Sequence, residues 1–139
     1  MADALNYLSL ARKAGFAQLG EEPVGAISRT GKAYLIAVAA DASDHTWRRA
    51  KSFAAGTEQQ CIRLPYSKDE MGMCIGRTSL AIAAITDPAL ALAFVKALGG
   101  GELYAAAVQA LEQKASRAKK RQAEAKAHQR NVRKGKVKK

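Results

Sequence analysis

Apolar residues recur at three- and four-residue intervals over residues 4–14 (ALNYLSLARKA), which predicts an amphipathic helix, and Gly15 stops it. Phe16 to Leu19 predicts a short strand ending at Gly20. Residues 22–30 return to helical spacing, with Pro23 in the first turn, where a missing N–H costs nothing. Residues 33–40 (AYLIAVAA) form a continuous apolar run, the pattern of a strand covered on both faces. Asp41-Ala42-Ser43 offers N-cap oxygens to a helix over 44–54, and Gln60 to Leu64 predicts another strand. Ser67-Lys68-Asp69-Glu70 spells a capping box, which opens a short helix that stops before Gly76. Leu80 to Ile85 predicts a further buried strand, and Thr86-Asp87-Pro88 opens a helix reaching Leu98. Helices alternating with short apolar strands predict an α/β fold with helices on both faces of the sheet.

Gly99-Gly100-Gly101 then breaks the pattern, and residues 102–128 read as one more helix. Tyr104, Val108 and Leu111 give its first turns an apolar face at i, i+4 and i+7, free to pack on the domain or on a second copy. After Ala115 that face disappears, and residues 131–139 (NVRKGKVKK) are expected to be disordered. The expected organisation is therefore a domain over 1–101 and a basic helical arm with a disordered end over 102–139.

Charge sharpens that division. The chain has 139 residues and a formal net charge of +11. Residues 1–104 carry eleven bases against ten acids, whereas residues 105–139 carry twelve against two. A near-neutral domain thus bears a strongly cationic arm, which suits a polyanion such as nucleic acid. The exposed bases expected to touch phosphates are Lys119, Lys120, Arg121, Lys126, Arg130, Arg133, Lys134 and Lys136. Aromatic content is 6%, which favours phosphate contact over base stacking. The N-terminal segment carries Asp3 and no uninterrupted apolar core, so it does not read as a targeting signal, and no run is long and apolar enough for a membrane span. A cytoplasmic location is expected.

The segments LSLARKAG (8–15), LGEEPVGAISRTGKAYLIAVAADAS (19–43), PYSKDEMGMCIGR (65–77) and AIAAITDP (81–88) occur in an order and spacing that resemble a known family. It is the kink-turn RNA-binding ribosomal protein family, the archaeal large-subunit L-seven-Ae type, and within it the bacterial YlxQ-like branch. The resemblance covers nearly all of residues 1–98. It implies a three-layer α/β/α sandwich around a four-stranded mixed sheet, no catalysis, and binding to a kinked RNA built on tandem sheared G·A pairs. It also implies two binding elements: Gly20, Glu21 and Glu22 at a helix start, and Ile75, Gly76, Arg77, Thr78 and Ser79 in the loop before the last strand. In that frame Gly20 admits close approach of RNA, Glu22 accepts from a guanine amino edge, Ile75 lies against an extruded base, and Arg77 meets a phosphate. Thr78 and Ser79 bond the sugar–phosphate backbone. The archaeal motif reads Gly-x-Asn-Glu-x-x-Lys. Here Glu22, Pro23 and Ala26 stand at its three polar positions, with Arg29 or Lys32 as substitute cations.

Other chemistry lacks support in the sequence. Gly25 to Lys32 looks like a phosphate loop, but five residues separate its glycines and Ala33 follows the lysine. His45 and His128 stand apart, and Cys61 and Cys74 lack metal-site spacing, so they read as a surface histidine and small buried thiols. Trp47 is expected to pack in the core, and Met71 and Met73 to fill gaps beside the short helix. No nucleophile–base pair or cofactor loop is present, and the expectation is a non-enzyme without cofactor, metal or small-molecule substrate. Its expected partner is structured RNA, ribosomal RNA or the ribosome included. The alternative is a protein-interaction adaptor with a degenerate kink-turn site and nonspecific RNA contact through the arm.

Overall fold

The two continuous apolar runs become the two inner strands of one sheet in a computed structural model, which describes the backbone of residues 3–138 and the side chains of residues 4–128. In chain order the elements are α1 (Asp3–Lys13), β1 (Ala17–Leu19), α2 (Glu21–Arg29), β2 (Leu35–Val38), α3 (Asp44–Ala54) and β3 (Gln60–Arg63). Then come α4 (Lys68–Met73), β4 (Ile82–Ile85), α5 (Pro88–Leu98), a 3-10 turn (Gly101–Tyr104) and α6 (Ala105–Lys138). Every residue of β2 and β4 is buried, which is why these stretches carry no polar alternation. The sheet order is β1-β4-β2-β3. Strand β4 runs antiparallel to both β1 and β2, and β3 runs parallel to β2, so the sheet is mixed. Helices α2 and α3 pack on one face, and α1, α5 and α6 on the other. This is the three-layer α/β sandwich expected.

The register defines two poles. Leu19 pairs with Ala83, Val38 with Ile82, and Val38 with Arg63, so one pole holds the ends of β1, β2 and β3 and the start of β4. The opposite pole holds the start of β1, the end of β4 at Ile85, and the starts of β2 and β3. Gln59 closes this second pole from inside. It is 7% exposed, its Oε1 accepts from the Ala33 amide at 2.9 Å, and its Nε2 donates to the Ser28 carbonyl at 3.1 Å. One side chain thereby satisfies two buried backbone groups between α2 and β2.

Local caps behave as their sequences specify. The Ser43 side chain accepts from the Thr46 amide, Ser67 and Glu70 form a full capping box, and Asp87 accepts from the Leu90 amide with Pro88 opening α5. Asp41 does not cap α3. Its Oδ1 accepts from the Lys68 amide at 2.8 Å, tying the β2–α3 loop to α4.

Three findings depart from expectation. First, packing runs past residue 101: Tyr104, Ala107 and Leu111 are 5%, 4% and 1% exposed within the main core, and the Tyr104 hydroxyl donates to the Arg63 carbonyl at 2.9 Å. The triple glycine lets the chain turn back, and α6 lays its apolar face on α5 and β3. The apolar face thus packs on its own domain. Second, α6 continues as helix to Lys138, beyond the expected end at 128, through a stretch rich in strong helix formers. Third, Cys61 and Cys74 are only half-buried, and Met73 is 79% exposed while Met71 is fully buried; Trp47, as expected, packs against the core, with the Arg63 guanidinium over its ring at 4.9 Å.

Candidate nucleic-acid interface

Gly20 begins the first element of the candidate site. Its φ of +98° is strained for any residue with a Cβ, and its amide donates to the Ile82 carbonyl at 3.0 Å. That bond fixes the start of α2 against the start of β4. The amides of Glu21 and Glu22 have no acceptor within the helix, and Pro23 has no N–H, so two donors face outward at the positive end of the α2 dipole. Glu22 is exposed. Glu21 is not available in the same way: its Oε1 lies 3.3 Å from Arg49 Nε, buried and without a hydrogen bond. The Arg49 guanidinium also sits over the Phe53 ring, 5.3 Å from its centroid. From the sequence Arg49, with Arg48 and Lys51, is either part of a solvated helix face or an auxiliary phosphate patch; its place beside Glu21 is not legible there. Only the packing of α2 on α3 brings it there.

The second element is the loop between α4 and β4. The Arg77 amide donates to the Gly72 carbonyl at 2.8 Å, the Leu80 amide to the Lys68 carbonyl at 3.0 Å, and the Ala39 amide to the Ala81 carbonyl at 2.9 Å. Gly72 is essential to this fit. A Cβ there would lie 2.7 Å from Ser79 N, 2.8 Å from its Cα and 2.9 Å from the Arg77 oxygen, all backbone atoms that cannot yield. The loop presents Gly76, Arg77, Thr78 and Ser79 to solvent. Ile75 departs from the expected role. At 4% exposed it is part of the core and cannot lie against a base, whereas Met73, two residues back, is the exposed apolar side chain beside the loop. Spacing in the sequence does not separate these two positions; the short turn ending α4 does.

The two elements meet at the same pole because β1 ends where β4 begins. Gly20, Glu21, Glu22, Gly76, Arg77, Thr78 and Ser79 therefore belong to one surface. Arg29 lies on the same helix as Glu22 and lines a shallow groove with Glu22, Ala26 and Arg49, about 10 Å along the axis. Lys32 does not join them. It follows the last turn of α2, at the opposite pole, where Gly31 and Tyr34 line a hollow that receives Lys114. Lys119, Lys120, Arg121 and Lys126 are exposed on α6. The side chains of Arg130, Arg133, Lys134 and Lys136 lie outside the described residues.

Outward amides, an exposed carboxylate, an arginine and two hydroxyls form a hydrogen-bonding surface suited to a sugar–phosphate backbone and base edges. Among the described residues no group of three or more His, Cys, Asp or Glu side chains could hold a metal ion. Burial pushes the Cys61 thiol up to about 11 despite the opposing charge of Lys51, and burial raises Cys74 as well, so neither is poised as a thiolate nucleophile.

No family model matches the chain. The chain is 36% identical over 74 residues to the RNA-binding protein YlxQ of Enterococcus faecium, a stretch covering 53% of this chain and 71% of that protein. In structure it is similar to a protein of unknown function from Bacillus halodurans C, with a TM-score of 0.65 at 20% identity, covering 70% of this chain and 98% of that one. It is also similar to the Giardia lamblia 15.5kD RNA binding protein, with a TM-score of 0.59 at 20% identity, covering 77% and 85%. The sandwich fold, the ordered motifs and the identity across most of YlxQ together place this chain in the YlxQ-like branch of the L-seven-Ae-type family.

Proposed function

We propose that this chain is a non-enzymatic RNA-binding protein that holds a bend in structured RNA. The observation that carries the proposal is the bond from the Gly20 amide to the Ile82 carbonyl, which welds the α2 start to the strand following the Arg77 loop. A ribonucleoprotein role in the cytoplasm, with ribosomal RNA or another structured transcript as ligand, follows from the same reading. The names of its relatives, an RNA-binding YlxQ and a 15.5kD RNA binding protein, support it.

Kink-turn selectivity is tested by titrating the full chain with two RNAs that differ only in whether the tandem G·A pairs are present. The expected result is at least tenfold preference for the intact bend, about 1.4 kcal/mol, and its loss in Arg77→Ala. Equal binding of both RNAs, abolished by salt, would instead favour the adaptor reading. One observation leans toward that second reading: Glu21 is taken up by Arg49 and Ile75 by the core, so two expected contacts are committed inside the protein.

A further inference from the structure

The excess charge of this chain sits at the wrong end for the site just described. Helix α5 starts beside the end of β4 and climbs to Leu98 at the pole of Gly20 and Arg77. The chain turns there, and the Tyr104 hydroxyl holds the Arg63 carbonyl at that pole. Helix α6 then descends antiparallel to α5. Lys114 pairs with Glu58, just before the start of β3, and Lys119 and Gln122 lie beside Asp87 and Pro88 at the start of α5. Everything beyond this point leaves from the opposite pole.

That pole is cationic on the body as well. Helix α1 ends there, because the Thr86 amide donates to the Phe16 carbonyl at 2.8 Å, and it presents Arg12 and Lys13, both exposed. Lys32 is exposed on the loop that follows α2. No described acid lies within ion-pair distance of these three. Of the acids on the body here, Glu58 is paired with Lys114, and Asp87 caps α5 through the Leu90 amide at 2.9 Å while keeping its charge; Glu124 is the acid on the emerging arm. The Gly20 pole carries Glu22, Asp41, Asp44, Asp69 and Glu70 beside Arg48, Arg49, Lys68 and Arg77, so its acids and bases are nearly balanced.

We infer that the pole opposite the Gly20–Arg77 surface is a second, separate RNA-binding surface, taking the phosphate backbone of a duplex segment. Arg12, Lys13 and Lys32 form its floor and the emerging half of α6 its arm. The arm's described cations, Arg117, Lys119, Lys120, Arg121 and Lys126, surround the helix at 100° per residue rather than forming one stripe. A helix with cations on several faces can meet phosphates of both strands along the outside of a duplex. It does not suit a membrane surface, which needs an apolar face to insert, and among the described residues α6 has none from Ala115 to His128. A body surface and an arm of one sign meeting at one place give a continuous counterion-releasing footprint. If the bend-binding reading above also holds, one molecule joins two RNA segments across the width of the sandwich.

The test uses the full chain and a plain RNA duplex with no kink-turn, titrated by fluorescence anisotropy at several salt concentrations. The variant Arg12→Ala/Lys13→Ala/Lys32→Ala, with the arm intact, is expected to bind at least tenfold more weakly. Its salt slope should be shallower by about two to three, roughly one per lost phosphate contact. Removing three charges elsewhere, in Arg48→Ala/Lys68→Ala/Lys96→Ala, is expected to cost less than threefold. Equal losses in the two triple variants would mean that only net charge matters and would overturn the inference. So would wild-type duplex binding by the first variant, or tighter binding to anionic lipid vesicles than to duplex at equal charge concentration. Because the probe has no bend, its binding does not report on recognition of a kink at the Gly20–Arg77 surface. Failure of kink-turn selectivity is therefore read separately from failure here.

Discussion

Gly72 does more for the candidate interface than any residue that faces solvent. It has an ordinary helical position in the sequence and nothing local that singles it out. Its missing Cβ is what admits the backbone of Arg77 and Ser79 against α4. We expect Gly72→Ala to destabilise the protein by about 1–3 kcal/mol, as overpacking does, and to free the Arg77 amide from the Gly72 carbonyl. Thermal melting reads the first effect and hydrogen exchange at the Arg77 amide the second. An unchanged melting temperature with a protected amide would show that the loop does not need this contact. Gln59 teaches the same lesson from the polar side. A glutamine before a strand reads as a loop residue, yet tertiary packing buries it as the clamp on Ala33 and Ser28.

Elements were the most readable scale. Periodicity, caps and stops located all four strands and the six helices, because helix caps and apolar runs are local physics. Their pairings were not readable. The contact between α3 and α2 that carries Arg49 to Glu21, and the antiparallel descent of α6 along α5, depend on which faces meet. The Lys114–Glu58 pair marks where α6 reaches the far pole. The lysine's hydrogen bond and charge hold the Glu58 carboxyl below its ordinary value of 4.5. The pair therefore stabilises the fold above about pH 4.5, and its contribution is lost as pH falls through the lowered value. Glu58→Gln is expected to melt slightly below the wild type near neutral pH, by a few degrees at most because the pair is exposed. The two melting temperatures should converge in acid once Glu58 is protonated. A difference that persists unchanged at low pH would show that the pair is not its source.

At the scale of the molecule, the packed body does not end at the triple glycine. Leu111 alone is a core side chain whose removal costs about 2–5 kcal/mol, against a total stability of roughly 5–15 kcal/mol for a domain. A chain stopped after Gly101 also loses Tyr104 and Ala107 and is expected to lose its cooperative thermal transition. A chain stopped after Gln122 keeps the whole core and should melt like the full chain. Comparable melting of the 101-residue form would place α6 outside the fold. Charge is also a whole-molecule property here. The composition of the last quarter of the chain shows its size, but only the course of α5 and α6 shows which pole receives it.

The sequence by itself determined the α/β class, the order and approximate place of the elements, most of the caps, and the family to which the chain belongs. Each of these is written in short stretches, where the period of apolar positions and the hydrogen-bonding habits of Ser, Asp, Pro and Gly act over a few residues. Tertiary structure alone decided that Ile75 is buried while Met73 is exposed, that Arg49 stands at the α2 start, and that Lys32 and the basic arm lie across the sheet from Gly20. These facts follow from strand register and from which helix faces pack together. Those are set by contacts between residues far apart in the chain, on which local spacing carries no information.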